Sequence, residues 1–266
     1  MFRTRLISGI LLVAVTIVAV LQGSYLLWGI LLLVSLIGMS ELYRVFGIRK
    51  SLMGVLGYLA AVVYYVLVLR QQLDGMMLMA ILFLILLMFI YVFTFPQFKT
   101  EQMLAAFFGL FYVAVMLSYV YRVRVLDGGV FAVWLVFLSS WGCDTCAYCV
   151  GMLIGKHKMA PKLSPKKSME GGIGGIIGAI ILGAIYAACV NHWGGAGVSI
   201  LSYAIICGVG AIISQVGDLA ASAIKRNHKI KDYGTLIPGH GGVLDRFDSV
   251  IFTAPIIYYM AISLMK

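Results

Sequence analysis

Charge is scarce in this sequence. Only 11% of its 266 residues are Asp, Glu, Lys or Arg, and only ten of these are acidic. Hydrophobic residues make up 62% of the chain, and the mean hydropathy is +1.04. A soluble core of this size cannot bury so much apolar surface, which excludes an ordinary soluble protein. We therefore expect an integral membrane protein.

Cysteine is also sparse, and its spacing argues against a metal cluster. Cys143, Cys146 and Cys149 form a C-x2-C-x2-C pattern that is similar to the opening of an iron–sulfur motif. The fourth position of that motif is Leu153, and no proline follows it. The five cysteines do not indicate a disulfide framework in such a chain. We expect the three clustered cysteines to be small packing residues of an apolar helix.

Apolar runs long enough to cross a bilayer recur along the whole chain, and we count nine of them. The predicted fold is therefore all-α, a polytopic membrane protein without a separate soluble module. Residues 1–128 are predicted to form transmembrane helices without catalytic motifs, and residues 129–266 the C-terminal catalytic region. The nine runs lie near residues 5–22, 24–42, 52–70, 75–95, 103–121, 129–152, 172–191, 197–224 and 247–264.

Basic residues sort sharply between the predicted loops. With nine spans and a cytoplasmic N-terminus, the cytoplasmic segments hold sixteen of the twenty lysines and arginines, as the positive-inside rule requires. The formal charge of +10 predicts anionic partners, either phosphates or an anionic leaflet. Nucleic acid is not expected, because the basic residues lie between hydrophobic spans and form no continuous stripe.

Small residues recur at the start of the seventh span. Gly171 and Gly175, and likewise Gly174 and Gly178, have the small-xxx-small spacing that allows helices to approach closely. A nucleotide-binding G-x-G-x-x-G loop is not favoured, because Ile177 breaks that pattern. We interpret the glycines as packing residues.

The few acidic residues indicate a functional site. Asp144 and Asp218 fall inside apolar spans, where a carboxylate costs several kcal/mol unless it is paired or binds a metal. Asp245 and Asp248 follow at the start of the ninth span, three residues apart. Helix ends can therefore direct several carboxylates into one cytoplasmic pocket, and such hard oxygen ligands suit magnesium. A simpler reading of Asp245 and Asp248 is that acids favour a helix N-terminus.

Lysine, arginine and glycine surround these acids in the sequence. Ser222 and Arg226 follow Asp218 at four-residue intervals and are predicted to lie on the same helix face. His240 is ambiguous, since it suits either a phosphate or a loop carbonyl. The candidate phosphate-binding cations are Lys166 and Lys167 before a helix start, then Lys225, Arg226, Lys231 and Arg246.

The stretch from Ser222 to Asp248, S-A-I-K-R-N-H-K-I-K-D-Y-G-T-L-I-P-G-H-G-G-V-L-D-R-F-D, resembles the signature of the phosphatidate cytidylyltransferase (CDP-diacylglycerol synthase) family. A second segment, 141–171, is also similar to the family. It departs from the family's pattern in its three cysteines and in Ser168, where threonine is expected. The resemblance covers roughly residues 140–250.

This resemblance implies transfer of a cytidylyl group from CTP to phosphatidate, which yields CDP-diacylglycerol and pyrophosphate, with magnesium as cofactor. It implies a membrane enzyme, expected in a bacterial inner membrane with its active site facing the cytoplasm. The oligomeric state is left open, a homodimer being the assembly considered. The implied metal ligands are Asp218, Asp245 and Asp248, with Asp144 as a further candidate. The implied catalytic residues are these three aspartates with Lys225 and Arg226, and the implied phosphate ligands are Lys166, Lys167, Ser222, Lys231, His240 and Arg246.

Three other functions are weighed against this one. An ion-coupled transporter also carries intramembrane acids, but it predicts charges spread through several central helices. A related CTP-dependent enzyme that acts on another lipid is the closest alternative. CDP-alcohol phosphotransferases are not favoured, because their D-G-x2-A-R motif is absent.

Overall fold

The computed structural model describes residues 2–239 and 241–265, with side chains from Ile7 onward. The chain is almost entirely helical, and its one described strand pair is a short antiparallel hairpin. The helices are α1 Phe2–Gln22, α2 Ser24–Val45, α3 Leu52–Leu69, α4 Leu73–Phe93, α5 Thr100–Gly109, α6 Met116–Arg124, α7 Gly129–Phe137, α8 Cys143–Ile154, α9 Met169–Gly194, α10 Ile200–Asn227 and α11 Leu244–Leu264; the strands are β1 Lys158–Ala160 and β2 Ser164–Ser168.

Helices α5 and α6 are joined by a π-helical turn, Leu110–Val115, and α7 and α8 by another, Leu138–Gly142. Each pair therefore forms one continuous rod, Thr100–Arg124 and Gly129–Ile154. Within the described residues, eight helical rods are long and apolar enough to cross a membrane, and the ninth, α1, has a shorter apolar segment, Ile7–Gln22. The predicted polytopic all-α membrane fold is confirmed.

Two helices begin three residues earlier than the hydrophobic pattern predicts. Helix α9 starts at Met169 because Ser168 caps it: the Ser168 hydroxyl accepts a hydrogen bond from the Gly171 N–H at 3.1 Å. Helix α11 starts at Leu244, so that Asp245 lies in its first turn and Asp248 just beyond it. The capping group at α9 is a feature that hydropathy does not register.

The chain forms two compact units. The first contains the chain up to Tyr121 together with Asp232–Arg246, and the second contains Arg122–Lys231 together with the chain from Phe247 onward. The predicted boundary at residue 128 remains a prediction about where the catalytic motifs lie.

Buried aromatic side chains with polar ends tie the helices of the first unit together. The Tyr43 hydroxyl donates to the Ala106 carbonyl at 2.7 Å, and Trp28 donates from its indole nitrogen to the Tyr65 carbonyl at 2.7 Å. Gly57 and Gly109 make room for the Tyr43 ring, since a Cβ at either position would lie within 2.4 Å of it. The hydrogen bonds satisfy polar atoms that would otherwise be costly in an apolar interior.

Glycines bring α8 and α9 of the second unit into close contact. A Cβ on Gly175 would lie 2.9 Å from the Cys143 carbonyl oxygen, and one on Gly178 would lie 2.6 Å from the Cys146 side chain. The glycines, Cys143 and Cys146 are therefore packing residues, as their spacing predicts, whereas Cys149, the third cysteine of the pattern, is exposed. All five cysteines are free thiols.

We expect Gly175→Ala to destabilise the protein by about 1–3 kcal/mol, because the new methyl group clashes with backbone atoms of α8 that cannot rotate away. Thermal unfolding of the purified protein in detergent measures this effect. Gly29→Ala is the matched control, since nothing lies within 4 Å of a Cβ at that position in α2. Equal stability of the two variants would contradict the packing role of Gly175.

Candidate functional site

A cluster of opposite charges lies in the second unit, where the β-hairpin meets α10 and α11. Lys167 on β2 forms an ion pair with Asp218 of α10, and both side chains are about one quarter exposed. Lys225, about two turns further along α10, lies 4.0 Å from the Asp248 carboxylate. Lys225 and Asp248 are nearly buried, at 8% and 6% exposure. Buried charges of this kind require partners, and the cluster supplies them.

The third carboxylate of the cluster is Asp144 on α8. Burial lowers the pKa of Lys167, but the charges of Asp218, Asp144 and Asp248 outweigh it and hold that pKa above its ordinary value. Lys167 therefore remains an ammonium ion throughout the neutral and mildly alkaline range. The structure thus brings together five residues that the sequence singled out: Asp144, Lys167, Asp218, Lys225 and Asp248.

The hairpin that carries Lys167 is fixed at both ends. The Glu170 carboxylate accepts hydrogen bonds from the His157 backbone N–H at 3.2 Å and contacts its ring Nδ1 at 2.5 Å. Arg226 donates to the Leu163 carbonyl at 3.4 Å and to the Ile230 carbonyl at 3.3 Å. These contacts hold the lysine-bearing strand beside α10, so Arg226 supports the shape of the loop in this conformation.

The other predicted phosphate ligands of the second unit differ in burial. Ser222 is buried on α10, four residues after Asp218. Lys166, on β2 beside Lys167, and Lys231, in the loop after α10, are both exposed. Exposed lysines at such positions can fold over a bound polyanion without losing a structural contact.

Asp245 and Arg246 belong to the first unit. One oxygen of Asp245 accepts hydrogen bonds from the backbone N–H groups of Tyr233 at 2.7 Å and Gly242 at 3.0 Å. These bonds close the glycine-rich loop before α11. Asp245 thus serves the start of a helix, as the simpler interpretation of this residue expects. Its assignment as a metal ligand remains a prediction, and His240 lies outside the described residues.

Glu41 is a residue that the sequence analysis missed. Its carboxylate, on the membrane-spanning helix α2, accepts hydrogen bonds from the backbone N–H groups of Val243 at 3.0 Å and Leu244 at 2.8 Å. A Cβ on Gly234 or Gly242 would lie within 2.5 Å of its oxygens, so both glycines are needed for this approach. Glu41 thereby satisfies backbone donors at the start of α11.

We expect Glu41→Gln to lower the free energy of unfolding by about 1–3 kcal/mol, because its amide group presents N–H where an acceptor is required. Thermal unfolding in detergent checks this. Glu101→Gln serves as the control, because Glu101 is exposed on α5. If Glu41→Gln unfolds at the wild-type temperature, the carboxylate does not hold this segment.

Three carboxylates against two ammonium groups leave the second-unit cluster short of positive charge. Its acidic donors are hard oxygen atoms, the type that magnesium prefers, with no histidine or thiolate among them. Within residues 2–239 and 241–265, no three His, Cys, Asp or Glu side chains are already close enough to hold a metal ion. In this conformation the Lys167 ammonium is the cation beside Asp218. The donor chemistry of Asp144, Asp218 and Asp248 thus fits a divalent cation.

This membrane protein belongs to the cytidylyltransferase family, whose sequence model matches residues 3–264. The chain is therefore an enzyme of the nucleotidyltransferase class. It is similar to the phosphatidate cytidylyltransferase of Bacillus subtilis (strain 168), with 29% identity over 97% of each chain. It is also 29% identical to the phosphatidate cytidylyltransferase of Staphylococcus epidermidis, over 98% of this chain and 99% of the relative. The phosphatidate cytidylyltransferase of Brucella suis is 36% identical over 126 residues, which cover 47% of this chain and 45% of the relative.

Proposed function

We propose that this protein transfers the cytidylyl group of CTP to phosphatidate, forming CDP-diacylglycerol and pyrophosphate for phospholipid biosynthesis. The observation that carries the proposal is the charge cluster of Lys167, Asp218, Lys225, Asp248 and Asp144, in a chain whose family match extends over nearly its full length. Full-length relatives named phosphatidate cytidylyltransferase support the choice of lipid substrate.

The reaction needs charge neutralisation more than proton transfer. The phosphate of phosphatidate is already an anionic nucleophile. Its oxygen attacks the α-phosphorus of CTP, a new P–O bond forms, and the bond to the β-phosphate breaks so that pyrophosphate leaves with the electron pair. Two polyanions must therefore approach each other, and positioned cations lower the cost of that approach.

Residues of the cluster have distinct proposed tasks. Lys225 and Lys167 neutralise phosphate oxygens, and Ser222 donates a hydrogen bond to them. Asp218 and Asp248 position the two lysines through their ion pairs. Lys166 and Lys231 add positive charge around the leaving pyrophosphate, and Arg226 contributes a further cation while it holds the hairpin that carries Lys167.

We propose magnesium as the cofactor, with Asp144, Asp218 and Asp248 of the second unit as its ligands. The oxygen-only donor set and its deficit of positive charge support this assignment. When bound, the ion would stabilise negative charge that develops on the phosphate oxygens.

We also propose that the active site faces the cytoplasm of a bacterium from its inner membrane. The distribution of basic residues supports this orientation, and CTP is a cytoplasmic nucleotide. The acyl chains of phosphatidate can then stay in the bilayer while its headgroup reaches the cluster. A homodimer is the assembly that we would test first.

A transporter is not favoured, because the acids of the second unit converge on lysines and do not line a succession of central helices. A CTP-dependent enzyme for another lipid remains the closest alternative. An assay with different lipid substrates distinguishes the two functions.

The proposal is tested with purified protein in detergent, magnesium, phosphatidate and radiolabelled nucleotides. We expect label from CTP, but not from ATP, GTP or UTP, to enter the lipid fraction, with one pyrophosphate released for each liponucleotide. Replacing phosphatidate by a polyprenyl phosphate distinguishes the alternative lipid. Label transfer only to the polyprenyl phosphate, or none to either lipid, would overturn the proposed substrate.

A further inference from the structure

A separate cavity of about 760 Å³ lies within the first unit. Its walls come from the end of α2, the start of α3 and the loop residues 234–236. Its volume is in the range of sites that bind small ligands. None of its lining residues belongs to the charge cluster of the second unit, so the proposed reaction leaves this cavity without a task.

The cavity has an excess of positive charge. Arg44, Arg49 and Lys50 line it, against the single carboxylate of Glu41. Both oxygens of that carboxylate already accept backbone hydrogen bonds, and Arg44 donates one to the Tyr233 carbonyl. Arg49 and Lys50 are exposed, and neither has an ion-pair partner among residues 2–239 and 241–265. Two unneutralised cations at the mouth of a cavity favour an anionic ligand.

Apolar side chains also line the cavity. Leu36 and Ile37 come from α2, a helix that is long and apolar enough to span the membrane, and Leu236 comes from the loop. Arg44 follows in the last turn of α2, and Arg49 and Lys50 lie in the loop between α2 and α3. This order along α2, apolar and then cationic, matches the order of acyl chain and headgroup in a lipid leaflet.

We propose that this cavity binds the headgroup phosphate of an anionic phospholipid. Arg49 and Lys50 contact the phosphate, and the part of the acyl chains nearest the headgroup lies against Leu36 and Ile37. The Tyr58 hydroxyl, which also lines the cavity, donates to the Arg49 carbonyl at 3.2 Å and so holds the backbone that carries the two cations. The site depends on the first unit alone and stands whether or not the proposed reaction is correct.

Binding of short-chain phosphatidylglycerol to the full-length protein in a neutral detergent tests this site. Native mass spectrometry or calorimetry measures the affinity, with phosphatidylcholine of the same chain length as the zwitterionic probe. The variant Arg49→Gln/Lys50→Gln should bind phosphatidylglycerol roughly thirtyfold more weakly, since each basic residue near an anionic lipid contributes about 1 kcal/mol. Phosphatidylcholine should bind both proteins weakly.

The variant Lys99→Gln/Lys158→Gln is the charge-matched control, because both lysines are exposed and lie outside the cavity. It should bind phosphatidylglycerol like the wild type. Equal affinity of the cavity variant and the wild type would overturn the proposal, and so would equal affinity for phosphatidylcholine. Inorganic phosphate is the third probe: if it binds as tightly as the lipid, the ligand is a soluble anion. Should the double variant aggregate, Lys50→Gln alone gives the same comparison.

Discussion

Asp218→Asn should reduce cytidylyl transfer by about 1000-fold while the protein still inserts into the membrane. The substitution keeps the size of the side chain but removes the charge that pairs with Lys167 and that is proposed to hold magnesium. The Lys167 ammonium then loses its ion-pair partner, so the cations that bind the substrate phosphates are no longer held in position. Initial rates with labelled CTP and phosphatidate measure the loss.

Asp127→Asn is the matched control for this experiment. Asp127 is an exposed aspartate of the second unit, in the turn before α7, so the same chemical change there should leave the rate within about twofold of wild type. Membrane fractionation and thermal unfolding show whether both variants fold. A folded Asp218→Asn protein with near-normal turnover would refute the proposed role of this carboxylate.

Lys167→Gln should lower the rate by about 100-fold, the second largest effect that we expect. Three carboxylates act on this ammonium, and its raised pKa keeps it charged at every pH at which the enzyme is assayed. Lowering the pH therefore cannot restore the activity of the variant, since the glutamine side chain takes up no proton in this range. A pH–rate profile of both proteins between about pH 6 and 9 measures this.

The control for Lys167→Gln is Lys162→Gln. Lys162 is exposed in the turn between β1 and β2, and its substitution removes the same charge from the same hairpin. A loss of rate in both variants alike would mean that the hairpin acts only through its overall positive charge. A loss confined to Lys167→Gln supports a specific contact.

The membrane fold could be predicted because long apolar runs and the sorting of basic residues leave few alternatives. The same scarcity of charge made Asp144 and Asp218 recognisable, since a carboxylate within such a run requires a partner. The pairing of Asp218 with Lys167 could not be predicted from spacing. It depends on a hairpin formed by a lysine-rich segment that contains Pro165, and neither strand has a clear alternating pattern.

Glu41 shows a different limit of sequence reasoning. Its partners are backbone N–H groups more than 200 residues away, and backbone donors leave no trace in residue identity. The rarity of acids in apolar spans was nevertheless a usable signal, because Glu41 lies in α2 as Asp218 lies in α10. Glu41 and Asp245 both accept hydrogen bonds from backbone N–H groups of residues 233–244, so part of the signature stretch serves to hold the backbone in place.

The π-helical turn at Leu138–Gly142 affects how this chain tolerates length changes. A π turn holds one residue more than the corresponding α-helical turn, so every side chain after it is rotated by about 100° around the helix axis. Asp144 lies just beyond this turn. Deletion of one residue there would leave an unbroken helical rod of similar hydropathy that still inserts, yet it would point Asp144 away from Lys167. Among homologues, insertions and deletions should therefore be rarer in these five residues than hydropathy alone would suggest.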